Sequence, residues 1–220
     1  MENGGWLPFD RFMAMALYEP GLGYYSNARV KLGRLPADGS DFVTAPELSP
    51  LFGHTLAAQV AQALQASDTG SVFEFGAGSG ALAEQLLDAL AALGHAAVNY
   101  TIVELSAELR ARQAVRLARF GSRVGWADSW PQAMRGVVVG NEVLDAMPVQ
   151  LLYFDGDAWH ERGVAWHAGG FTYADRPSGL RPPHDGPFVP GTVTEIHPQA
   201  EAFIRTLATP LAHGAAFFTD

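Results

Sequence analysis

Apolar residues recur at helical spacing early in the chain. Phe9, Phe12, Met13, Ala16 and Leu17 fall at i, i+3, i+4, i+7 and i+8, one face of an amphipathic helix that Pro20-Gly21 ends. Gly21–Gly53 is rich in Gly, Pro and aromatic residues and reads as an ordered loop region. Ser49-Pro50 then supplies an N-cap and a proline at the first helical position, opening a helix to about Ala66 with Leu56, Val60 and Leu64 on one side. From Ser71 the rhythm alternates. Ser71–Phe75, Tyr100–Leu105, Arg123–Ala127 and Gly136–Gly140 are short apolar strands, and Gly80–Leu93 and Ser106–Phe120 are helices between them. Leu82, Leu86, Leu90 and Leu93 form the first helix's core stripe. Alternating strand and helix implies a parallel sheet with crossover helices.

Tyr153–Pro190 breaks this rhythm with Gly, Pro, Trp and His and little helical periodicity, and reads as an inserted hairpin or flap. Glu195–Leu211 is helical again, and Ala215–Asp220 is a strand. The expected fold is therefore α/β, a Rossmann-like parallel sheet with an N-terminal helical cap and an inserted flap. The expected divisions are 1–69 for the cap, 70–152 for the first part of the sheet domain, 153–194 for the flap and 195–220 for its last helix and strand. The final strand should lie beside Gly136–Gly140, with further C-terminal strands of the sheet missing from the chain.

Composition narrows the possible functions. The chain of 220 residues is 48% hydrophobic and 17% charged, which suits a folded core. Its formal net charge of −9 disfavours a nucleic-acid partner. The absence of cysteine removes disulfides, thiolate metal sites and a cysteine nucleophile, and fits a reducing, cytoplasmic setting. No apolar run approaches the roughly 20 residues of a membrane-spanning helix, so no membrane insertion is expected. The opening residues Met1–Trp6 have neither the basic nor the apolar region of a signal peptide. The histidines show no metal-ligand spacing, so no metal is expected.

The chemistry-bearing motif is Glu74-Phe75-Gly76-Ala77-Gly78-Ser79-Gly80, where a strand turns into a helix. Gly76, Gly78 and Gly80 permit a tight turn and a close ligand approach beside the exposed N–H groups of a helix start. Gly76-x-Gly78-x-x-Ala81 also satisfies a dinucleotide fingerprint. Glu74 separates the readings. A carboxylate there suits a ligand with an ammonium and a sulfonium and would repel a pyrophosphate; the lesser alternative is that it caps backbone groups. Glu104, at the end of the next strand, is placed to accept both hydroxyl protons of a ribose. Asp128, after the third strand, is placed to accept from an adenine amino group, or to start a helix.

A further stretch follows the fourth strand, Gly140-Asn141-Glu142-Val143-Leu144-Asp145-Ala146-Met147-Pro148. Others precede the sheet: Phe12-Met13-x-x-Ala16-Leu17-Tyr18-x-Pro20-x-x-Gly23-Tyr24-Tyr25, and Asp41-Phe42-x-Thr44-Ala45-Pro46-Glu47-Leu48-Ser49-Pro50-Leu51-Phe52-Gly53. Together with Val103-Glu104-Leu105-Ser106 these closely resemble the MidA family of S-adenosylmethionine-dependent methyltransferases. The resemblance implies S-adenosyl-L-methionine as cofactor, methyl transfer as the activity, and a protein partner. A mitochondrial member assembles respiratory complex I by methylating an arginine of one subunit, so an arginine acceptor is implied here too.

Methyl transfer from a sulfonium asks the protein chiefly to position the acceptor and exclude water. A guanidinium is a poor nucleophile. Carboxylates help by binding it bidentately and localising its charge on the nitrogens that do not attack. Glu142 and Asp145 are the candidates for that role, with Asn141 fixing orientation. Asn141 and Asp145 can alternatively cap backbone groups. Tyr24, Tyr25, Thr44 and Glu47 are candidates for the wall of the acceptor channel. Two other readings stay open at this point: a nicotinamide-dependent oxidoreductase, for which no Tyr-x-x-x-Lys pair is present and Lys31 is the one lysine, and an assembly module that binds the cofactor without catalysis.

Overall fold

The computed structural model describes residues 5–25 and 43–220. Readings made on residues 1–4 and 26–42, among them most of the loop region after Gly21, Lys31 and the Asp41-Phe42 part of a motif, lie outside the described residues. In chain order the first elements are β1 (Trp6–Pro8), α1 (Phe9–Tyr18), α2 (Ala45–Leu48), α3 (Pro50–Ser67), β2 (Ser71–Phe75), α4 (Ala81–Ala92), β3 (Asn99–Val103) and α5 (Ala107–Leu117). A 3-10 segment, Ala118–Arg123, leads into β4 (Val124–Ala127), β5 (Met134–Asn141), β6 (Gln150–Phe154), β7 (Trp159–His167), β8 (Gly170–Pro177), β9 (Val193–Ile196), α6 (Pro198–Ala208) and β10 (Leu211–Thr219). These form two compact units: Met1–Ala28 with Asp145–Ile204, and Arg29–Leu144 with Arg205–Asp220. Among the described residues no helix is long and apolar enough to cross a membrane.

The second unit holds a parallel sheet in the order β10-β5-β2-β3-β4, as the alternating rhythm predicts. Its register sets Val72 against Tyr100 and Val137, and Glu74 against Ile102 and Val139. Alternation along β2 therefore sends Val72 and Glu74 to one face. Val72, Tyr100, Ile102, Val137 and Val139 join one core with Val60 and Leu64 of α3, Leu82, Leu86 and Leu90 of α4, and Leu117 of α5. Each such buried side chain stabilises the fold by roughly 1.5–3 kcal/mol relative to exposure. Leu93, expected in the stripe, is half exposed at the end of α4. Strand β10 pairs with β5 beside Gly136–Gly140, as expected, and lies at the sheet edge.

Helix α3 starts as its sequence dictates. Ser49 accepts from the Leu51 N–H and Pro50 takes the first helical position. Gln85 of α4 receives the Gly53 N–H (3.1 Å) and donates to the Pro46 carbonyl (2.7 Å). Helices α2 and α3 thus group with the parallel sheet, which departs from the expected 1–69 cap. Periodicity shows that a helix has an apolar face but not which layer that face meets.

The first unit is an antiparallel sheet in the order β1-β7-β6-β9, with β8 on the other edge of β7. The expected flap is therefore larger than 153–194. It begins with β6 at Gln150 and takes in the N-terminal β1, too short to show an alternation. Trp6 anchors β1: it is buried and its indole donates to the Ala174 carbonyl (2.7 Å). Phe9 and Phe12 of α1 meet Tyr173 and Phe171 of β8 at 6.2 and 5.2 Å between ring centroids.

Several element ends differ from the periodicity. Helix α6 ends at Ala208, and β10 begins at Leu211, within the expected helix, and not at Ala215, because the ladder to β5 starts at Met134. Glu195 lies in β9, paired with Leu151, so α6 begins only at Pro198. The helix expected through Phe120 ends at Leu117 and tightens into the 3-10 segment, broken at Gly121 where φ is 59°. The strand expected through Leu105 ends at Val103, where its pairing with Ala127 closes the ladder to β4, and the Glu104 side chain beyond it accepts the Ser106 N–H.

Candidate functional site

Parallel strands bring their carboxyl ends to one edge of the sheet, where ligands of such folds bind. Here that edge carries the loop after β2, Glu104 after β3, Asp128 after β4, Asn141 at the end of β5 and Thr219 at the end of β10.

The loop after β2 is built from backbone that only glycine adopts cheaply. Gly76, Gly78 and Gly80 have φ of 69°, 52° and 83°. A Cβ on Gly76 would lie 2.9 Å from Val143 Cγ2, so the loops after β2 and β5 meet backbone to side chain. Gly80 caps α4, and its carbonyl accepts the Glu84 N–H (3.0 Å).

Glu104 is almost buried, with 9% of its surface exposed. Its Oε1 accepts from the Ser106 N–H (2.8 Å) and its Oε2 from the Gln113 amide (3.1 Å). An ionised carboxylate offers about four acceptor positions. The two left over match the two O–H donors of a vicinal diol, so the acceptor set fits a ribose. Asp128 is exposed after β4. Two residues on, the Trp130 ring lies 4.9 Å from that of Phe75 at the end of β2.

Glu74, expected to suit a cationic ligand or to cap backbone groups, is buried. It is 1% exposed, and the Tyr100 hydroxyl donates to its Oε2 (2.8 Å). Burial pushes its carboxyl up to about 8, against the lowering effect of the Tyr100 bond and with a smaller push from the Glu104 charge. A carboxyl that is mostly protonated near neutrality repels a pyrophosphate weakly. Glu74 alone therefore does not separate the two ligands.

The acceptor candidates lie after β5. Asn141 accepts the Thr219 hydroxyl on its Oδ1 (2.9 Å). Glu142 is half-buried with φ of 53°, a left-handed conformation for a non-glycine residue, and its N–H donates to the Thr219 carbonyl (2.8 Å). Asp145 is exposed and begins the other unit's second segment. There its charge helps push Tyr18 up to about 12, after burial and Tyr25. The Tyr18 hydroxyl donates to the Ala146 carbonyl (2.6 Å).

Of the channel candidates, Tyr24 and Tyr25 belong to the first unit. Tyr25 stacks on Tyr18 (5.6 Å) and meets Tyr24 edge-on (5.1 Å). Thr44 and Glu47 belong to the sheet unit. The Thr44 carbonyl accepts the Glu47 and Leu48 N–H groups of α2. Glu47 is tied to the glycine loop. It accepts from the Ser79 hydroxyl and from Arg116 (3.4 Å), whose guanidinium also donates to Ser79 (2.6 Å) and Glu84 (2.9 Å). Its position is thus beside the cofactor loop.

Sequence reasoning missed Gln113. It is fully buried on α5 and bonds to Gly78, Glu104 and Trp126. The signal was present: Leu109, Gln113 and Leu117 share one helical stripe, and an amide in an apolar stripe needs partners. Among the described residues no group of three or more His, Cys, Asp or Glu side chains is placed to hold a metal ion.

Comparison with known proteins sets this geometry in a family. Residues 55–220 match the family model Methyltransf_28, described as "Putative S-adenosyl-L-methionine-dependent methyltransferase". The chain is similar to the protein arginine methyltransferase NDUFAF7 homolog, mitochondrial, of Caenorhabditis elegans (30% identity over 175 residues, 68% of this chain and 40% of the relative). It is also similar to NDUFAF7 of Danio rerio (29% over 178 residues, 68% and 41%). A crystal structure of a COG1565 superfamily member from Burkholderia thailandensis, bound to S-adenosyl-homocysteine, superposes with a TM-score of 0.85 at 53% identity, covering 98% of this chain and 58% of that one. The chain thus spans about 40% of the length of those curated relatives and 58% of that structure. It belongs to this family of S-adenosyl-L-methionine-dependent methyltransferases, the MidA type that its motifs resemble.

Proposed function

We propose that this chain binds S-adenosyl-L-methionine at the carboxyl edge of its parallel sheet and transfers the methyl group to an arginine side chain of a protein. The observation that carries the reading is the braced Glu104 carboxylate beside the glycine loop, with two acceptor positions left for a ribose. The cofactor, when bound, supplies a methyl on a sulfonium, already activated for displacement. Gly76, Gly78 and Gly80 would let it approach the backbone, Glu104 would take the ribose hydroxyls, and Asp128 the adenine amino group.

The acceptor side rests on Glu142. Its carboxylate would accept two guanidinium N–H bonds, hold the positive charge on those nitrogens, and leave the remaining nitrogen's lone pair to take the methyl; the methyl–sulfur bond would break to leave a neutral thioether, and that nitrogen would release one proton to solvent. Asn141 would orient the group, and Asp145, three residues on, is the second carboxylate candidate. Arginine as acceptor is supported by the names of the NDUFAF7 relatives, and a respiratory-complex subunit by the family resemblance. The test is calorimetry of the intact protein with S-adenosylhomocysteine and with NAD(P), followed by mass spectrometry of candidate subunits incubated with enzyme and S-adenosylmethionine. Tight S-adenosylhomocysteine binding and a mass gain of one methyl on arginine are expected. Comparable NAD(P) affinity overturns the cofactor reading. Methylation confined to another residue type overturns the acceptor reading, and cofactor binding with no methylated product favours an assembly module.

A further inference from the structure

Gln113 stands at a junction whose hydrogen bonds run one way only. Its Oε1 accepts from the Trp126 indole (2.9 Å), and its Nε2 donates to the Gly78 carbonyl (2.9 Å) and to Glu104 Oε2 (3.1 Å). An indole N–H only donates, and a carbonyl and an ionised carboxylate only accept. The three partners therefore admit a single orientation of the amide. Both its hydrogen-bonding atoms are engaged, Oε1 once and Nε2 twice, as a fully buried amide requires. The side chain also packs under the loop: a Cβ added at Gly80 would sit 3.5 Å from Gln113 Cγ.

Two features that a nucleoside-bearing ligand must meet together are thus joined by one residue. The glycine loop comes from β2 and the carboxylate from β3, and among the described residues it is Gln113 that bonds to both. Glu104 has two braces, the Ser106 N–H on one oxygen and Gln113 on the other. With both in place the carboxylate plane is fixed. With one it can turn about its last side-chain bond.

We propose that Gln113 is a positioning residue for the cofactor, locking the ribose-binding carboxylate of Glu104 to the Gly78 carbonyl of the glycine loop, with Trp126 holding the amide's oxygen. This rests on the cofactor reading above. Because Gln113 acts through Glu104, its loss should erase discrimination at the ribose hydroxyls more than it weakens the rest of the ligand.

The experiment measures, by calorimetry on the intact protein, the affinities of S-adenosylhomocysteine and its 2′-deoxy analogue for the wild type, Gln113→Met and Trp126→Phe. Methionine keeps the length and volume of the side chain and removes the three bonds. In the wild type the deoxy analogue should bind about tenfold or more weakly, the scale of one lost charge-assisted bond. In Gln113→Met the natural ligand should weaken by about tenfold, and the gap between the two ligands should shrink below about threefold. Trp126→Phe leaves the buried amide oxygen without its donor, loosening the amide while its two acceptors still set its orientation, and should narrow the gap in the same direction by a smaller factor, so the proposal is tested even if Gln113→Met fails to fold. Equal weakening of both ligands marks a structural role and overturns the proposal, as does an unchanged gap in folded variants. A wild type that binds neither ligand overturns the cofactor reading itself, whereas a wild type that discriminates while the variants discriminate equally well overturns only the role of Gln113.

Discussion

Glu74 can be perturbed by one atom. Glu74→Gln replaces the buried carboxyl with a carboxamide of the same shape whose oxygen can still accept from Tyr100. The carboxyl is pushed up to about 8 in the folded chain, against an ordinary 4.5. Between those values the unfolded chain carries Glu74 ionised while the folded chain keeps it protonated. The folded state then binds more protons, so its stability falls as pH rises. The contribution is fully present below the unfolded value and is lost as pH passes through the folded one. Each pH unit in that window is worth about 1.4 kcal/mol. Integrated from about pH 6 to about pH 8, the loss is roughly 2 kcal/mol. For a chain of this size that lowers the thermal midpoint by roughly 4–8 °C. The assay is the midpoint across pH for ligand-free wild type and Glu74→Gln, whose difference cancels every other titrating group. The wild type should fall relative to the variant over this window. Tyr100→Phe, which removes the bond that lowers Glu74, should move the fall to higher pH. Parallel curves for wild type and Glu74→Gln would refute the reasoning: Glu74 would then titrate alike in the folded and unfolded chains.

Other perturbations test the site. Glu104→Gln should weaken S-adenosylhomocysteine by roughly tenfold or more, by calorimetry, since charge-assisted bonds are worth roughly 1.5–3 kcal/mol. Glu142→Gln should slow methyl transfer by roughly tenfold or more and leave that affinity nearly unchanged, so the two phenotypes separate. Glu142→Gly should keep or raise the thermal midpoint while transfer is lost, because a left-handed non-glycine residue costs roughly 1–2 kcal/mol that glycine relieves. Gly76→Ala should lose cofactor binding and stability together, since its Cβ would meet Val143 Cγ2 at 2.9 Å with φ at 69°, and Val143→Ala should restore only part of the stability.

The parallel sheet was legible because its strands are short apolar runs closed by glycine or by helix caps, and each run is one element. Ser71–Phe75 is such a case, with bounds that match residue for residue. What escaped was structure whose partners are distant in sequence. β1 is three residues long, and only its pairing with Ala165, Val164 and Gly163 makes it a strand. Glu195 falls in a stretch that reads as helix, and the ladder to Leu151 overrides it. Within the site, Glu104 and the glycines could be placed because chain position after a strand fixes them at the sheet's carboxyl edge. Glu47 could not, because its bond to Ser79 depends on how α2 lies over the loop. The place of Glu74 on its strand is legible from the chain, and its burial follows from the same pattern. Alternation along β2 already sends it to the face of Val72, and that face is the one the helices cover.

The edge strand β10 has a second task besides completing the sheet. Glu142 holds a left-handed backbone at a cost of roughly 1–2 kcal/mol, and something must oppose its relaxation. The end of β10 supplies three bonds to that turn. The Thr219 carbonyl takes the Glu142 N–H (2.8 Å), the Thr219 hydroxyl donates to Asn141 Oδ1 (2.9 Å), and Asp220 Oδ1 accepts the Leu144 N–H (3.0 Å). At roughly 0.5–1.5 kcal/mol net apiece, these are sufficient to offset the strain. The turn from Asn141 to Leu144 is therefore ordered by a strand that arrives almost eighty residues later in the chain, after the whole antiparallel sheet has been made. A residue held off its preferred conformation by bonds from a separate element is typical of a position that must present a group in a set direction. On the role proposed for Glu142, that group is its carboxylate, and Thr219 and Asp220 would set its direction through the backbone.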